Sequence, residues 1–245
     1  MGHMKFLDRP FAVPALFVAA ALFFGLWIVG WGISARAGDA VISVTGSASQ
    51  PATADEATWI IDMNQTAGAS NVSYVSSQIT NDAAAIARYL SAQKLASSSV
   101  STATVSISQN YSSNNAPTTY SVSESVTITT SDVAKVDVLS HQIGALDNLI
   151  SDGTIISPEA PQYYISNLPA LRVSLLGAAI KDAKARADQI AQSGGSTVGP
   201  LETASSGVVQ VLSPQSANAE DDGQYDTSTI QKEVTETVRA DFRVR

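Results

Sequence analysis

The longest apolar stretch of the chain comes first. From Pro14 to Ile33 it reads PALFVAAALFFGLWIVGWGI, ten of the 20 positions are Leu, Ile, Phe or Val, and no residue between Arg9 and Arg36 is charged. A helix rising about 1.5 Å per residue spans roughly 30 Å over this length, the thickness of a bilayer core. Ten such side chains at about −0.3 to −0.6 kcal/mol each favour insertion by roughly 3 to 6 kcal/mol. The segment is read as a transmembrane helix anchored by Phe17, Leu22, Phe23, Trp27 and Trp31, the two tryptophans suiting an interfacial belt near its far end. Ala35-Arg36-Ala37 has the small-x-small form of a signal-peptidase site. Twenty apolar residues exceed the usual 7 to 15 of a cleaved signal, so an uncleaved anchor is preferred and cleavage after Ala37 is the alternative. Lys5 and Arg9 before the segment, against Arg36 after it, place the N-terminus in the cytoplasm and residues 40 onward outside it.

Beyond residue 40, period-2 and period-3.6 patterns take turns. Val41 to Ser49 and Thr58 to Gln65 read as strands, the second with Trp59, Ile61 and Met63 on one face. With Pro51 between them they are expected to form an N-terminal hairpin, and Gly46 marks a bulge or a close backbone approach. Val72, Val75, Ile79, Ala83, Ile86 and Leu90 predict a helix over about Asn71 to Lys94. Two alternating runs follow, Thr102 to Tyr111 and Tyr120 to Thr130, joined through Ser112 to Pro117. They predict a long antiparallel hairpin with one apolar and one hydroxyl-rich face.

Val136, Leu139, Ile143, Leu146 and Ile150 predict a second helix from Asp132 to about Ile150. A short strand around Gln162 to Asn167 leads to a third helix, Pro169 to Gln192, with an inner stripe of Leu176, Ala179, Ile180, Ala183, Ala187 and Ile190. Strands near Val198 to Ala204, Val208 to Leu212 and Thr229 to Val244 complete the chain, although Lys232 and Glu236 interrupt the alternation of the last. The pattern is an α+β domain: a mainly antiparallel sheet with three helices packed on one face, a long β-hairpin and one preceding transmembrane helix. Residues 1–13 form a short cytoplasmic N-terminus, 14–33 the signal anchor, 34–40 a linker and 41–245 the exported domain.

Composition narrows the function. The 245 residues include 33 Ser, 19 Thr and no Cys, with a net charge of −8, and residues 40–245 hold 11 Lys or Arg against 20 Asp or Glu. Without Cys there is no disulfide framework, thiol nucleophile or zinc finger. The acidic balance argues against nucleic acid as a partner. No phosphate loop, nucleophile elbow or metalloprotease motif occurs, and His141 stands without neighbours able to make it a ligand or base. The expectation is a protein that is not an enzyme and carries no cofactor or metal.

Leu175 to Ala191 (LLGAAIKDAKARADQIA), followed by Gly194 and Val198-Gly199, resembles the late helix of the SIMPL-domain family of bacterial periplasmic immunogenic and oxidative-stress-defence proteins. Ile42 to Gly46, Ala54-Asp55, Ile107 with Tyr111, Tyr120 with Val122, and Asp132 to Val136 fit in the same order, so the resemblance covers roughly residues 40 to 245. Leu95 to Ser98 lacks the family's usual glycine after the first helix.

The resemblance implies an exported domain without established chemistry that self-associates, in some members into large ring-like or channel-like assemblies. The reading is therefore a membrane-anchored SIMPL-like domain forming a large homo-oligomeric structure in the cell envelope. It would be a single-pass protein of the bacterial inner membrane with its domain in the periplasm, touching the bilayer through residues 14–33. Ile107, Tyr111, Tyr120 and Val122 on the hairpin are the candidate assembly contact, since an extended hairpin leaves an edge to pair. The alternative is an envelope-stress binding module that recognises a ligand or partner through Glu220, Asp221, Asp222 and Asp226. That acidic loop lacks EF-hand spacing and is otherwise a solvated loop.

Overall fold

The structure, a computed structural model, describes residues 21–27, 40–95, 98–111, 117–214, 216 and 223–245. The expected α+β class holds, but the strands form two antiparallel sheets rather than one. The first sheet has the order β1 (Val41–Thr53), β10 (Gln231–Val244), β8 (Val198–Ser206), with β9 (Gln210–Leu212) also on β10. The second has the order β3 (Ser99–Thr102), β5 (Thr119–Thr130), β2 (Glu56–Gly68), β6 (Ile155–Pro158), with β4 (Ser106–Asn110) on β5 and β7 (Gln162–Tyr164) on β2. Residues group into two compact units: Ala48–Gly177 with Val208–Thr237 in one, and Ala178–Gly207, Val238–Arg245 and the chain up to Ser47 in the other.

The larger unit is built on the pairing of β2 with β5, in register from Ala57↔Thr130 to Gly68↔Thr119. The inward positions of β2 are those the alternation predicts: Trp59, Ile61 and Met63 are at most 1% exposed. They pack against Ile86 and Leu90 of helix α1 (Val72–Ala92) and against Val136 and Leu139 of α2 (Val133–Ser140). The single helix expected over 132–150 is interrupted. His141 and Gln142 donate to carbonyls three residues back, at Val138 and Leu139, which tightens the backbone and ends α2 before the short α3 (Gly144–Asp147).

The expected N-terminal hairpin is not formed, because β1 pairs with β10 and β2 with β5. Pro51 does not break β1; it is accommodated in an edge strand, where no ladder donor is needed. The chain changes sheet at Ala54-Asp55 instead. There Ala54 N–H donates to Ile230 O at 2.9 Å, and the Asp55 carboxylate accepts the Ser166 N–H at 2.7 Å and its hydroxyl at 2.6 Å.

Two further expectations are corrected. Lys232 and Glu236 do not interrupt β10: they occupy its inward face with Val234, Val238, Ala240 and Phe242, and are 1% and 0% exposed. The third helix, α4 (Leu168–Ser193), buries Ala179, Ala183 and Ala187 of the expected stripe but completes it with Leu175 and Ala191 in place of Leu176, Ile180 and Ile190. Leu175, Ala179, Ala183, Ala187 and Ala191 are buried, Leu176 is half-buried and Ile190 is exposed. Alanine at four-residue spacing lets the helix backbone come close to β1, so three helices on one sheet give way to α1 and α2 on the six-stranded sheet and α4 against the four-stranded one.

Gly46 is where that approach is tightest. A Cβ there would stand 2.2 Å from the Ala179 carbonyl oxygen and 2.4 Å from the Ala183 nitrogen, both backbone atoms that cannot rotate away. Gly46→Ala is expected to cost about 3 kcal/mol in urea denaturation, the upper part of the range for overpacked sites. A loss below about 1 kcal/mol would mean that strand and helix part at little cost.

Candidate functional site

A strand at the edge of a sheet offers a row of unpaired N–H and C=O groups, and proteins normally blunt such rows with proline, charge or cover. Most edges in this chain are treated in that way. On β1, Ser47 N–H donates to the Asp182 carboxylate of α4 at 2.9 Å, and Pro51 removes a donor further along. On β8, Pro200 removes another, and Glu202 stands in an ion pair with Arg243 of β10. β6 is four residues long and ends in Pro158. β7 has three residues, and its Tyr163 N–H donates to Thr227 O at 2.8 Å. β9 is covered by residues 224–226: Val211 N–H donates to Gln224 O and Asp226 N–H to Val211 O, both at 2.8 Å.

The edge made by β3 and β4 lacks these devices. β3 lies beside α1, but β4 is exposed at all five positions and, among the described residues, pairs with β5 alone. The 29 residues from Leu95 to Ser123 contain no Asp, Glu, Lys, Arg or His, so neither face of β4 carries a charge. Neither β3 nor β4 contains proline. This is the feature the sequence reading passed over. The charge-free run was visible, but only the pairing of β4 as an outer strand gives it meaning.

The structure separates the four predicted contact residues. Ile107 is 50% exposed on β4, and Tyr111, just beyond it, is 88% exposed. Tyr120 is half-buried opposite Gln109. Val122 is a core residue, packed with Ala67, Val75 and Ile79, so it cannot reach a neighbour. The expectation that β4 is half-buried is likewise corrected. Its partner β5 turns Val122, Val126 and Ile128 inward, whereas all five positions of β4 are exposed. The inward Glu124 of β5 accepts the Thr80 hydroxyl at 3.1 Å, and burial pushes its carboxyl above the ordinary range.

The remaining predicted residues fall elsewhere. Leu22, Phe23 and Trp27 lie in the helical residues 21–27 and are 62–72% exposed; Phe17 and Trp31 lie outside the described residues. No helix among the described residues is long and apolar enough to cross a membrane. Glu220, Asp221 and Asp222 also lie outside the described residues. The Asp226 carboxylate is already engaged, accepting the Ser228 N–H and hydroxyl at 2.7 Å each, and these bonds hold its pKa below the ordinary value. Its main-chain oxygen accepts the buried ammonium of Lys232, whose pKa burial lowers while the Asp226 charge raises it.

His141 follows the last residue of α2 and is exposed, its Nδ1 2.7 Å from the Asp137 main-chain oxygen. It borders a cleft of about 350 Å³ with Asp137, Glu159 and Tyr163. There the Tyr163 hydroxyl donates to Asp137 at 3.0 Å, and burial, then the Asp137 carboxylate, push the Tyr163 phenol up to about 12. The phenol stays protonated and is spent on positioning Asp137. No group of three His, Asp or Glu able to hold a metal ion is present among the described residues.

The model of the SIMPL family, described as "Protein of unknown function (DUF541)", matches residues 42–243. No curated protein matches the chain.

Asp182 gives the edge treatment a measurable consequence. The Ser47 N–H, and after it Arg186, hold its carboxyl below the ordinary 3.8. The stability from these contacts is complete above pH 3.8 and fades as pH falls through the lowered value. Asp182→Ala is expected to lose about 1 kcal/mol near neutral pH, with the difference from the parent shrinking in acid. A difference that does not vary with pH would exclude the carboxylate as its source.

Proposed function

Because the chain belongs to the SIMPL family, whose function is unknown, we propose a role from its own edges: it is an interaction module that self-associates through the bare outer edge of β4. One observation carries this reading. Among the sheet edges described, the others are shielded by proline, charge, brevity or cover, and this one is left neutral and exposed with Ile107 and Tyr111 beside it. Burying an unpaired row of main-chain donors and acceptors against a second row satisfies both, and the exposed apolar side chains add area. Charge supports the same location. Residues 40–245 carry 20 acidic and 11 basic residues, so two copies repel one another over most of their surface and least along a charge-free strand.

The module is tethered. Residues 14–33 anchor it in the bacterial inner membrane, with the domain on the periplasmic side, and pairs of anchored copies joined at β4 are the unit that further contacts build into a large homo-oligomer of the envelope. The uncharged stretch between Arg9 and Arg36 and the exposure of Leu22, Phe23, Phe24, Leu26 and Trp27 support the anchor. Tethering confines copies to a plane and raises their effective concentration, which lets a short edge contact suffice. The protein then works by placement and association rather than by catalysis.

Light scattering on the full chain in mild detergent is expected to report an assembly at high micromolar concentration, and Ile107→Lys with Tyr111→Lys to reduce it to monomers without changing the unfolding midpoint by more than about 0.5 kcal/mol equivalent. A monomeric parent chain, or an assembly untouched by the double substitution, would contradict the proposal. Deleting 14–33 should release the protein from membrane pellets; retention there would contradict the anchor.

A further inference from the structure

We propose that the β4 strands of two copies pair antiparallel about a two-fold axis at Gln109, so that the side chain of Ile107 faces Tyr111 of the second copy and Tyr111 faces its Ile107. This deepens the edge reading above and rests on it. A strand that pairs with its own copy in a closed contact must do so antiparallel, since a two-fold axis is the operation that brings the same patch of both subunits together. Parallel in-register stacking would need both edges of β4, and β5 already takes one of them.

The choice of register follows from the side chains. Along extended backbone, Ile107, Gln109 and Tyr111 share one face and Ser106, Ser108 and Asn110 the other. Directly opposed residues in an antiparallel pair lie on the same face, so the axis passes through a residue rather than between two. Centring it on Gln109 sets Ile107 across from Tyr111 twice, an aromatic against a β-branched side chain, the cross-strand combination that stabilises sheets best. These are the two large apolar side chains of the segment that are left in solvent, at 50% and 88% exposure.

On the axis the two Gln109 amides meet, each able to donate and to accept, and on the opposite face the Ser108 hydroxyl meets the Asn110 amide. Centring on Ser108 instead would set Ile107 against Gln109 and carry Tyr111 beyond the end of β4. Centring on Ile107 would leave Tyr111 without a partner inside the strand. In the Gln109 register no charge opposes another, because the nearest ionisable residues in sequence are Lys94 and Glu124. A second copy is thus the occupant that this edge suits, and the charges of an acidic or basic peptide would find no partner on it.

The absence of cysteine from the chain makes the register directly readable. Single cysteines are placed in the full-length protein at each position from Val105 to Tyr111, the protein is assembled in detergent, and disulfide formation is driven with a mild oxidant. Residues facing one another across an antiparallel pair have Cα atoms about 4.5 to 5.5 Å apart, inside the roughly 4.4 to 6.8 Å that a disulfide spans. Gln109→Cys is therefore expected to give a covalent dimer several-fold faster than any other single variant. Ser108→Cys and Asn110→Cys should each cross-link weakly alone and strongly when mixed.

A maximum at another position, or equal cross-linking at several neighbouring positions, overturns the register while leaving the edge contact standing. No cross-linking at any position, in a chain that either stays monomeric or still assembles, overturns the register and the edge reading together.

Discussion

Every strand at the border of a sheet leaves backbone groups without partners, and the way this chain disposes of them organises the rest of the molecule. The carboxylate of Asp182 is spent on a backbone N–H of β1, 135 residues away in sequence. Prolines 51, 158 and 200 stand within edge strands, where a missing donor costs nothing and deters pairing. The segment 224–226 is laid along β9 to take its free donor and acceptor. After these measures one edge is still bare among the described residues, that of β4, and no charge lies on it. An unguarded edge risks uncontrolled aggregation, so a chain that guards the others and leaves β4 open is best understood as using it.

The placement of charge has the same logic. Acidic and basic side chains are either consumed inside the domain or kept away from β4. Asp82 of α1 is buried and accepts the Ser151 N–H, the Ser151 hydroxyl and the Thr154 hydroxyl, pinning the turn after α3. Asp241 of β10 takes the hydroxyls of Ser43 and Thr203, tying β1 and β8 to the strand between them, and these bonds hold its pKa below the ordinary value. Glu236 is buried on the inner face of β10 with Arg172 of α4 at 3.4 Å. On the proposed reading, the remaining acidic excess would keep copies apart except where charge is missing, which would give association a place.

Much of this was legible in the sequence where periodicity is local. The alternation of Trp59, Ile61 and Met63 predicted the inner face of β2, the spacing from Val75 to Leu90 predicted that of α1, and Gly46 marked the close approach to α4. What failed was non-local or chemical. The partner of β1 is β10, nearly the whole chain away, and no local pattern names it, so proximity in sequence wrongly favoured β2. Hydropathy read Lys232 and Glu236 as interruptions of the last strand because it takes no account of a charge met in the interior by a main-chain oxygen or an arginine. The alanines Ala179, Ala183 and Ala187 of α4 were placed inward as the structure has them, but Leu176, Ile180 and Ile190 were added on hydropathy where the interior takes Leu175 and Ala191. The hairpin was found, but its outer strand was judged from alternation alone, which reports two faces and says nothing about whether anything covers them.

The claim on which the account stands is that the main-chain groups of β4 that point away from β5 are unpaired in the isolated domain and become paired on association. Amide hydrogen exchange followed across a concentration series measures this at the groups concerned. The account predicts that those amides of Ser106 to Asn110 that point away from β5 exchange fast when dilute and gain protection as concentration rises, while the edge amides of β1 and β8 stay unchanged. Protection at β4 that is already high when dilute, or that rises at β8 instead, would contradict it.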